Sequence, residues 1–263
     1  MVQRLGLGLG VSRDQGLGLD TSTSALVARF STPPTETRKL QIDRFIKSLK
    51  ATGVWQLLDA LYVMAAGDAQ AAQRNWLADQ FNLTVTNAPV FTADRGYQGA
   101  VGDRLSTGYN VASGGGKLLL DSASLFCWSL SDIAAAGGDI GASPTPSVFN
   151  VSVRRATGEI DAEINNASSG NLRVAVPNAL GLSLCSRLGA TTTAIYRNAG
   201  LVKAGNVAST VLTNSVLTLL TADAASYPGR QLSIGGFGAG MTAQNVADLH
   251  AACNTYLTAV GAV

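Results

Sequence analysis

The chain of 263 residues contains one histidine, three cysteines and only 14% charged residues. Average soluble proteins carry about 25% charge, so this surface must be made largely of small neutral polar side chains. With a single histidine, a Ser-His-Asp triad or a histidine-based metal site would have to be built on His250 alone. His250 lies in a C-terminal helical pattern beside the apolar stripe, and reads as a satisfied or solvent-facing side chain. No G-x-S-x-G elbow occurs, because Gly181-Leu182-Ser183-Leu184-Cys185 lacks the final glycine. Cys127, Cys185 and Cys253 follow no metal-ligand spacing, and their odd number argues against a disulfide framework. They read as buried apolar side chains, with one Cys127–Cys185 bridge left open. No run reaches the ~18 apolar residues of a membrane-spanning helix. The net charge is +2 and no basic run exceeds two residues, which excludes the concentrated positive face of a phosphate-tracking protein. The expectation is no nucleic acid, no membrane insertion and folding in the cytoplasm. The N-terminus, MVQRLGLGLGV, has neither a compact apolar block nor a small-residue cleavage site, and is read as part of the mature protein.

Residues 1–20 set Leu5, Leu7, Leu9 and Val11 on one side of an extended segment and Gly6, Gly8 and Gly10 on the other. A strand stripped to glycine on one side lets another layer approach closely, and suggests an assembly arm or a flexible terminus. Residues 21–90 read as a helical base. A short helix ends at Thr32-Pro33-Pro34; the next runs to Lys50 with Leu40, Ile42, Phe45, Ile46 and Leu49 on one face. After Gly53, the segment Val54–Ala66 is apolar nearly all round and reads as a buried helix. Asp68 is placed to cap a third helix, Ala69–Gln80. Trp55 and Trp76, at helical spacing among Leu and Ala, read as core.

The period changes at Phe91–Asn110, FTADRGYQGAVGDRLSTGYN. Beyond it about ten short segments alternate apolar and polar residues. Val151 and Val153 do so, then Ile160, Ala162 and Ile164 after the turn Thr157-Gly158, then Leu180, Leu182 and Leu184. Asn198-Ala199-Gly200 reads as another hairpin turn. Thr242 caps a final helix, Ala243–Ala259, striped by Val246, Leu249, Cys253, Tyr256 and Leu257. Residues 91–263 are therefore expected to form an antiparallel β-sandwich or barrel closed by a C-terminal helix.

Several stretches carry a resemblance. Ala93-Asp94-Arg95-Gly96-Tyr97 with Leu105-Ser106-Thr107-Gly108-Tyr109-Asn110 resembles a phrase in a group of bacteriophage and prophage virion proteins. So do Leu26–Phe30 followed by Thr32-Pro33-Pro34, Gly53–Val63, and Ala194–Gly200. Ile234-Gly235-Gly236 to Gln244 resembles the last strand and helix of laminin G-like modules. The likeness covers roughly residues 25–260, departs at Gly99–Arg104, and leaves out the Leu-Gly arm. It implies a jelly-roll sandwich of the concanavalin A/laminin G type in a virion appendage, a head spike or a tail fibre, assembled in the host cytoplasm. Its implied partners are other virion proteins, further copies of the chain (a trimer for a fibre, a pentamer at a vertex) and host cell-surface polysaccharide.

Three sets of residues could carry chemistry. Glu159, Asp161 and Glu163 have the i, i+2, i+4 spacing that aligns glycosidase carboxylates on one strand face, which keeps a polysaccharide-cleaving enzyme as the alternative. Since Ile160, Ala162 and Ile164 face the other way, the plainer reading is a solvated outer face. Asp103, Asp132 and Asp139 could hold Ca²⁺ but lack a dense Asp/Asn loop pattern. Gly114-Gly115-Gly116-Lys117 lacks the spacing of a phosphate loop. Trp128, Tyr97, Tyr109 and Tyr196 could stack on sugar rings if exposed. No catalytic residue, metal site or cofactor is assigned, and the binding residues are not fixed by the sequence. Asp94, Arg95 and Asp103 are expected to fasten a hinge between the helical base and the sandwich.

Overall fold

A computed structural model describes residues 18–142, 148–167, 172–223 and 225–263. The arm expected over residues 1–20 lies almost wholly outside the described residues. In chain order the first elements are α1 (Thr21–Val27), α2 (Glu36–Ala51), β1 (Leu58–Val63), α3 (Ala69–Ala72), β2 (Thr84–Thr86) and β3 (Val90–Thr92). Next come β4 (Gly96–Gln98), β5 (Arg104–Asn110), β6 (Ala123–Ser129), β7 (Ile140–Ala142), β8 (Val148–Ser152) and β9 (Glu159–Asn166). The last are β10 (Arg173–Ala175), β11 (Gly181–Arg187), β12 (Thr192–Arg197), β13 (Gly200–Asn206), β14 (Val216–Leu219), β15 (Gln231–Gly238) and α4 (Ala243–Ala259).

The strands form two sheets. The first has eight strands in the order β13-β12-β11-β6-β15-β4-β3, with β1 paired antiparallel to β15. The second has seven, in the order β10-β9-β8-β7-β14-β5-β2. The expected antiparallel sandwich with a C-terminal helix holds.

Strand periodicity sorts the side chains into two cores. On β6, Leu125 and Cys127 join the core between the sheets, while Phe126 and Trp128 join a second core beneath the helices. On β11, Cys185 goes to the first and Leu182 and Leu184 to the second. The central strands of the first sheet are thus buried on both faces. The helices supply the other side of the second core: Leu26 from α1, Ile42, Phe45, Ile46 and Leu49 from α2, Val246, Leu249, Cys253 and Leu257 from α4. Their ends are fixed locally. Thr35 caps α2 by accepting from the Arg38 amide, and Thr242 and Asn245 form a reciprocal capping box on α4.

Two helices expected from the sequence are corrected. Val54–Ala66 is not a helix: after a single 3₁₀ turn at Trp55–Leu57, residues Leu58–Val63 are a strand. Ala60 and Tyr62 face the inter-sheet core, and Leu58, Leu61 and Val63 face the helices. A strand covered on both sides is continuously apolar and reads like a buried helix. The third helix stops after Ala72 because Asn75 turns the chain back onto β1. The Asn75 side chain accepts from the Leu61 amide at 3.1 Å and donates to the Gln80 carbonyl at 3.1 Å.

The 21–90 segment accordingly contributes a strand to the first sheet, and its helices share a core with that sheet. Phe91–Asn110, the stretch expected as a hinge between base and sandwich, runs from the β3–β4 hairpin at the edge of the first sheet into β5 of the second. The hairpin fits only with glycine at Gly96, where φ is +105° and a Cβ would sit 2.1 Å from the Leu232 carbonyl oxygen. Asp94 and Arg95 do tie helices to sheet. Arg38 Nη2 donates to Asp94 at 2.7 Å, and Arg95 donates to Gln231 and to the Ala262 carbonyl, both at 3.2 Å. Asp103 instead closes its own loop by accepting from the Ala100 amide and ties it to the β2–β3 connection by accepting from the Ala88 amide.

Candidate functional site

The three carboxylates of β9 share a strand face as expected, but that face is not solvated. Asp161 is 3% exposed and Glu163 is fully buried. β9 lies between β8 and β10, and the neighbours supply cover. Arg155 and Arg173 reach Asp161 Oδ2 at 2.8 and 2.9 Å, and Arg173 is its cross-strand partner. Glu163 accepts from Asn166 Nδ2 at 2.7 Å, and Glu159 from Thr157 Oγ1 at 2.9 Å. Each carboxylate is thus engaged by protein donors.

The aspartates considered for calcium are separated and individually occupied. Asp132 accepts from Arg154 and from the Ala179 amide. Asp139 is buried against Arg230. No group of three His, Cys, Asp or Glu side chains able to hold a metal ion occurs among the described residues.

Gly114–Lys117 does cradle an anion, and the anion is internal. The amides of Lys117 and Leu118 donate to the two carboxylate oxygens of Asp59, each at 2.8 Å. Of the aromatic candidates, Tyr97, Tyr109, Trp128 and Tyr196 are all buried, between 1% and 6% exposed. Burial pushes the Tyr109 hydroxyl up to about 12, and it donates to the Gly115 carbonyl at 2.6 Å. None of them offers a free ring face on the open surface. The three cysteines are buried free thiols. Cys127 lies opposite Ser183 and Cys185 opposite Leu125, so the two side chains are offset by two residues along the paired strands.

Three of the flagged residues do come together. An open groove of about 560 Å³ runs between the end of α4 and the first sheet, lined by Arg95, Trp128, Leu180, Asn198, His250 and Asn254. His250 projects from α4 and stacks on Trp128, with ring centroids 5.4 Å apart and planes 17° from parallel. The imidazole is half-buried, and burial lowers its pKa from the ordinary 6.5. Neutral imidazole offers one donor and one acceptor nitrogen. Asn254, one turn further along α4, is exposed. Asn198 sits at the β12–β13 turn with its Oδ1 accepting from the Leu182 amide at 2.7 Å. Leu180 remains 43% exposed beside it. Chemically the groove offers imidazole, amide and guanidinium groups beside the exposed Leu180 side chain, with Trp128 buried beneath His250, and no aspartate or glutamate side chain lines it among the described residues. The sequence marked Asn198 only as a turn residue and passed over Asn254. Its four-residue spacing from His250 on a helix was the available signal.

No family model matches the chain, and no curated protein matches it. Solved structures do. The botulinum neurotoxin serotype D binding domain superposes with a TM-score of 0.54 at 9% identity, over 75% of this chain and 52% of that one. Trypanosoma rangeli sialidase in complex with sialic acid gives 0.54 at 10% identity, over 83% of this chain and 40% of that one. The fold is that of lectin-like β-sandwiches. At such identity the likeness shows the fold alone, and the chain spans about half the length of these structures or less.

Proposed function

We propose that the chain is a non-catalytic display module of a virion appendage, and that its Trp128–His250 groove contacts a host-surface glycan. The sequence resemblance supports the virion setting, and the groove supports the ligand class. The observation that carries the reading is the His250–Trp128 stack in a groove that has polar margins and, among the described residues, no aspartate or glutamate side chain. Sugar rings present apolar C–H faces and a rim of hydroxyls, which match the half-buried His250 ring and the exposed Leu180 side chain flanked by amides. Glycoside hydrolysis ordinarily requires two carboxyl groups flanking the bond, about 5–10 Å apart. The carboxylates with suitable spacing, Glu159 to Glu163, are on the second sheet and bound to arginine, asparagine and threonine side chains. A homo-oligomer anchored to other virion proteins completes the reading.

The test is an array of bacterial surface polysaccharides probed with the purified chain, His250→Ala and Asn254→Ala. Wild-type binding that falls at least about tenfold in both variants, at unchanged unfolding midpoints, supports the groove; tenfold corresponds to ~1.4 kcal/mol. Binding unaffected by either substitution assigns the glycan elsewhere. Release of reducing ends by the wild-type chain, lost in Glu159→Gln/Glu163→Gln, overturns the non-catalytic reading. Antibody labelling of intact particles tests the virion setting, and a monomeric mass in solution would argue against the oligomer.

A further inference from the structure

A separate cavity of about 280 Å³ lies where the α1–α2 connection meets the segment after β1. Phe30, Pro33, Pro34, Ile42, Trp76 and Tyr256 line it, and the small side chains Ala66 and Ala71 leave its volume open. Two of its lining residues, Trp76 and Tyr256, carry buried polar groups. Trp76 is 2% exposed, and its indole N–H is buried without an acceptor. Tyr256 is 3% exposed; its hydroxyl accepts from Arg38 and donates to the Ala65 carbonyl, both at 3.4 Å. Those two bonds are at the long limit for hydrogen bonds, so the hydroxyl can accept a better partner. Arg38, which also lines the cavity, is already paired with Asp94 at 2.7 Å. Asp68 also lines the cavity, and its carboxylate accepts from the Ala71 amide at 2.8 Å as the cap of α3. Among the described residues no unpaired cation is left there to hold an anionic ligand.

Size and chemistry together limit the occupant. An apolar cavity of about 150 Å³ takes up benzene, and this one is nearly twice as large. A buried donor left unpaired is destabilising, and an incoming acceptor would relieve it. Phe45 and Tyr256 each meet Trp76 edge-on, with centroids 5.5 and 5.6 Å away, so Trp76 is held in a fixed orientation. We propose that this cavity is a binding site for a small uncharged ring compound bearing a hydroxyl or carbonyl acceptor for the Trp76 indole. The site is distinct from the Trp128–His250 groove and does not depend on it.

The probes are p-cresol, which carries a hydroxyl, and toluene, which has the same ring and methyl group without one. The chain has three tryptophans, so a ¹H–¹⁵N spectrum shows three indole N–H signals, and Trp76→Phe assigns the relevant one. The expected result is a saturable shift of the Trp76 signal with p-cresol, with toluene bound at least about tenfold more weakly because it leaves the indole unpaired. Ala71→Leu, or Ala66→Leu, fills the cavity and abolishes the shift, while unmoved Trp55 and Trp128 signals report an intact fold. Absence of a saturable shift at millimolar p-cresol overturns the site. So does equal affinity for toluene, or a shift that survives in the filled variants. The toluene comparison needs no variant and stands even if both substitutions fail to fold.

Discussion

One guanidinium nitrogen of Arg230 donates to both carboxylate oxygens of Asp139, at 2.8 and 2.7 Å, and neither side chain is more than 1% exposed. The same guanidinium reaches the carbonyls of Ile133 and Arg154, and Asp139 also accepts from the Val153 amide. The pair joins the start of β15 in one sheet to β7 and β8 in the other. Removing one partner strands a buried charge, which costs about 3–5 kcal/mol. Arg230→Ala and Asp139→Ala should each lose stability of that order in urea denaturation, whereas the apolar double variant Asp139→Leu/Arg230→Met should lose less than the sum. Single variants within about 1 kcal/mol of wild type would mean that the pair is not buried as described.

What could be read from the chain depended on whether each segment has one covered face or two. α4 was legible because Thr242 caps it and one stripe, Val246 to Leu257, is buried. The β12–β13 hairpin was legible because Asn198 and Ala199 both take positive φ, 45° and 69°, at the turn. β1 was not, since burial on both sides removes the alternation that marks a strand. The Glu159–Glu163 face was legible as a face, but its burial depends on Arg155 and Arg173, which arrive from neighbouring segments. The groove followed the same rule: His250 and Trp128 each stood out in the sequence, and only β6 lying beneath α4 makes them a pair.

The Asp59 cradle is the clearest case of a glycine needed for an internal anion. Gly116 has φ +101°, and a Cβ there would lie 2.5 Å from Asp59 Oδ1. Gly116→Ala must strain the backbone and displace the carboxylate, at a cost of about 1–3 kcal/mol. Asp59→Ala leaves the Lys117 and Leu118 amides without acceptors, and should cost a similar ~1–3 kcal/mol. In the double variant the clash has no target, so the losses should be less than additive. Strict additivity in a double-mutant cycle would contradict the cradle.

The seam between helices and sandwich contains both an ion pair and an aromatic cluster, and magnitudes decide which holds it. Arg38 and Asp94 are 19% and 36% exposed, and such partly open pairs contribute about 0–1 kcal/mol. Trp76, packed edge-on against Phe45 and Tyr256, is a buried large side chain whose truncation costs about 3–5 kcal/mol. Asp94→Ala should therefore barely move the urea midpoint, and Trp76→Ala should move it severely. The reverse order would put the strength of the seam in its charges.

The single histidine gives a clean pH experiment. Burial lowers the folded-state pKa of His250 below its ordinary 6.5; the nearest cation lining the groove, Arg95, is held by Gln231 and the Ala262 carbonyl. Above 6.5 both folded and unfolded chains leave the imidazole neutral, and its contribution is constant. Between 6.5 and the lowered value the unfolded chain takes up the proton while the folded chain does not, so stability falls as pH falls through that window. His250→Gln removes this slope. On going from about pH 7.5 to about pH 5, the wild-type unfolding midpoint should drop further than that of His250→Gln, and the imidazole NMR signals of the folded chain should titrate below 6.5. Equal drops in the two proteins, or a folded-state titration above 6.5, would show that the ring is not desolvated against Trp128.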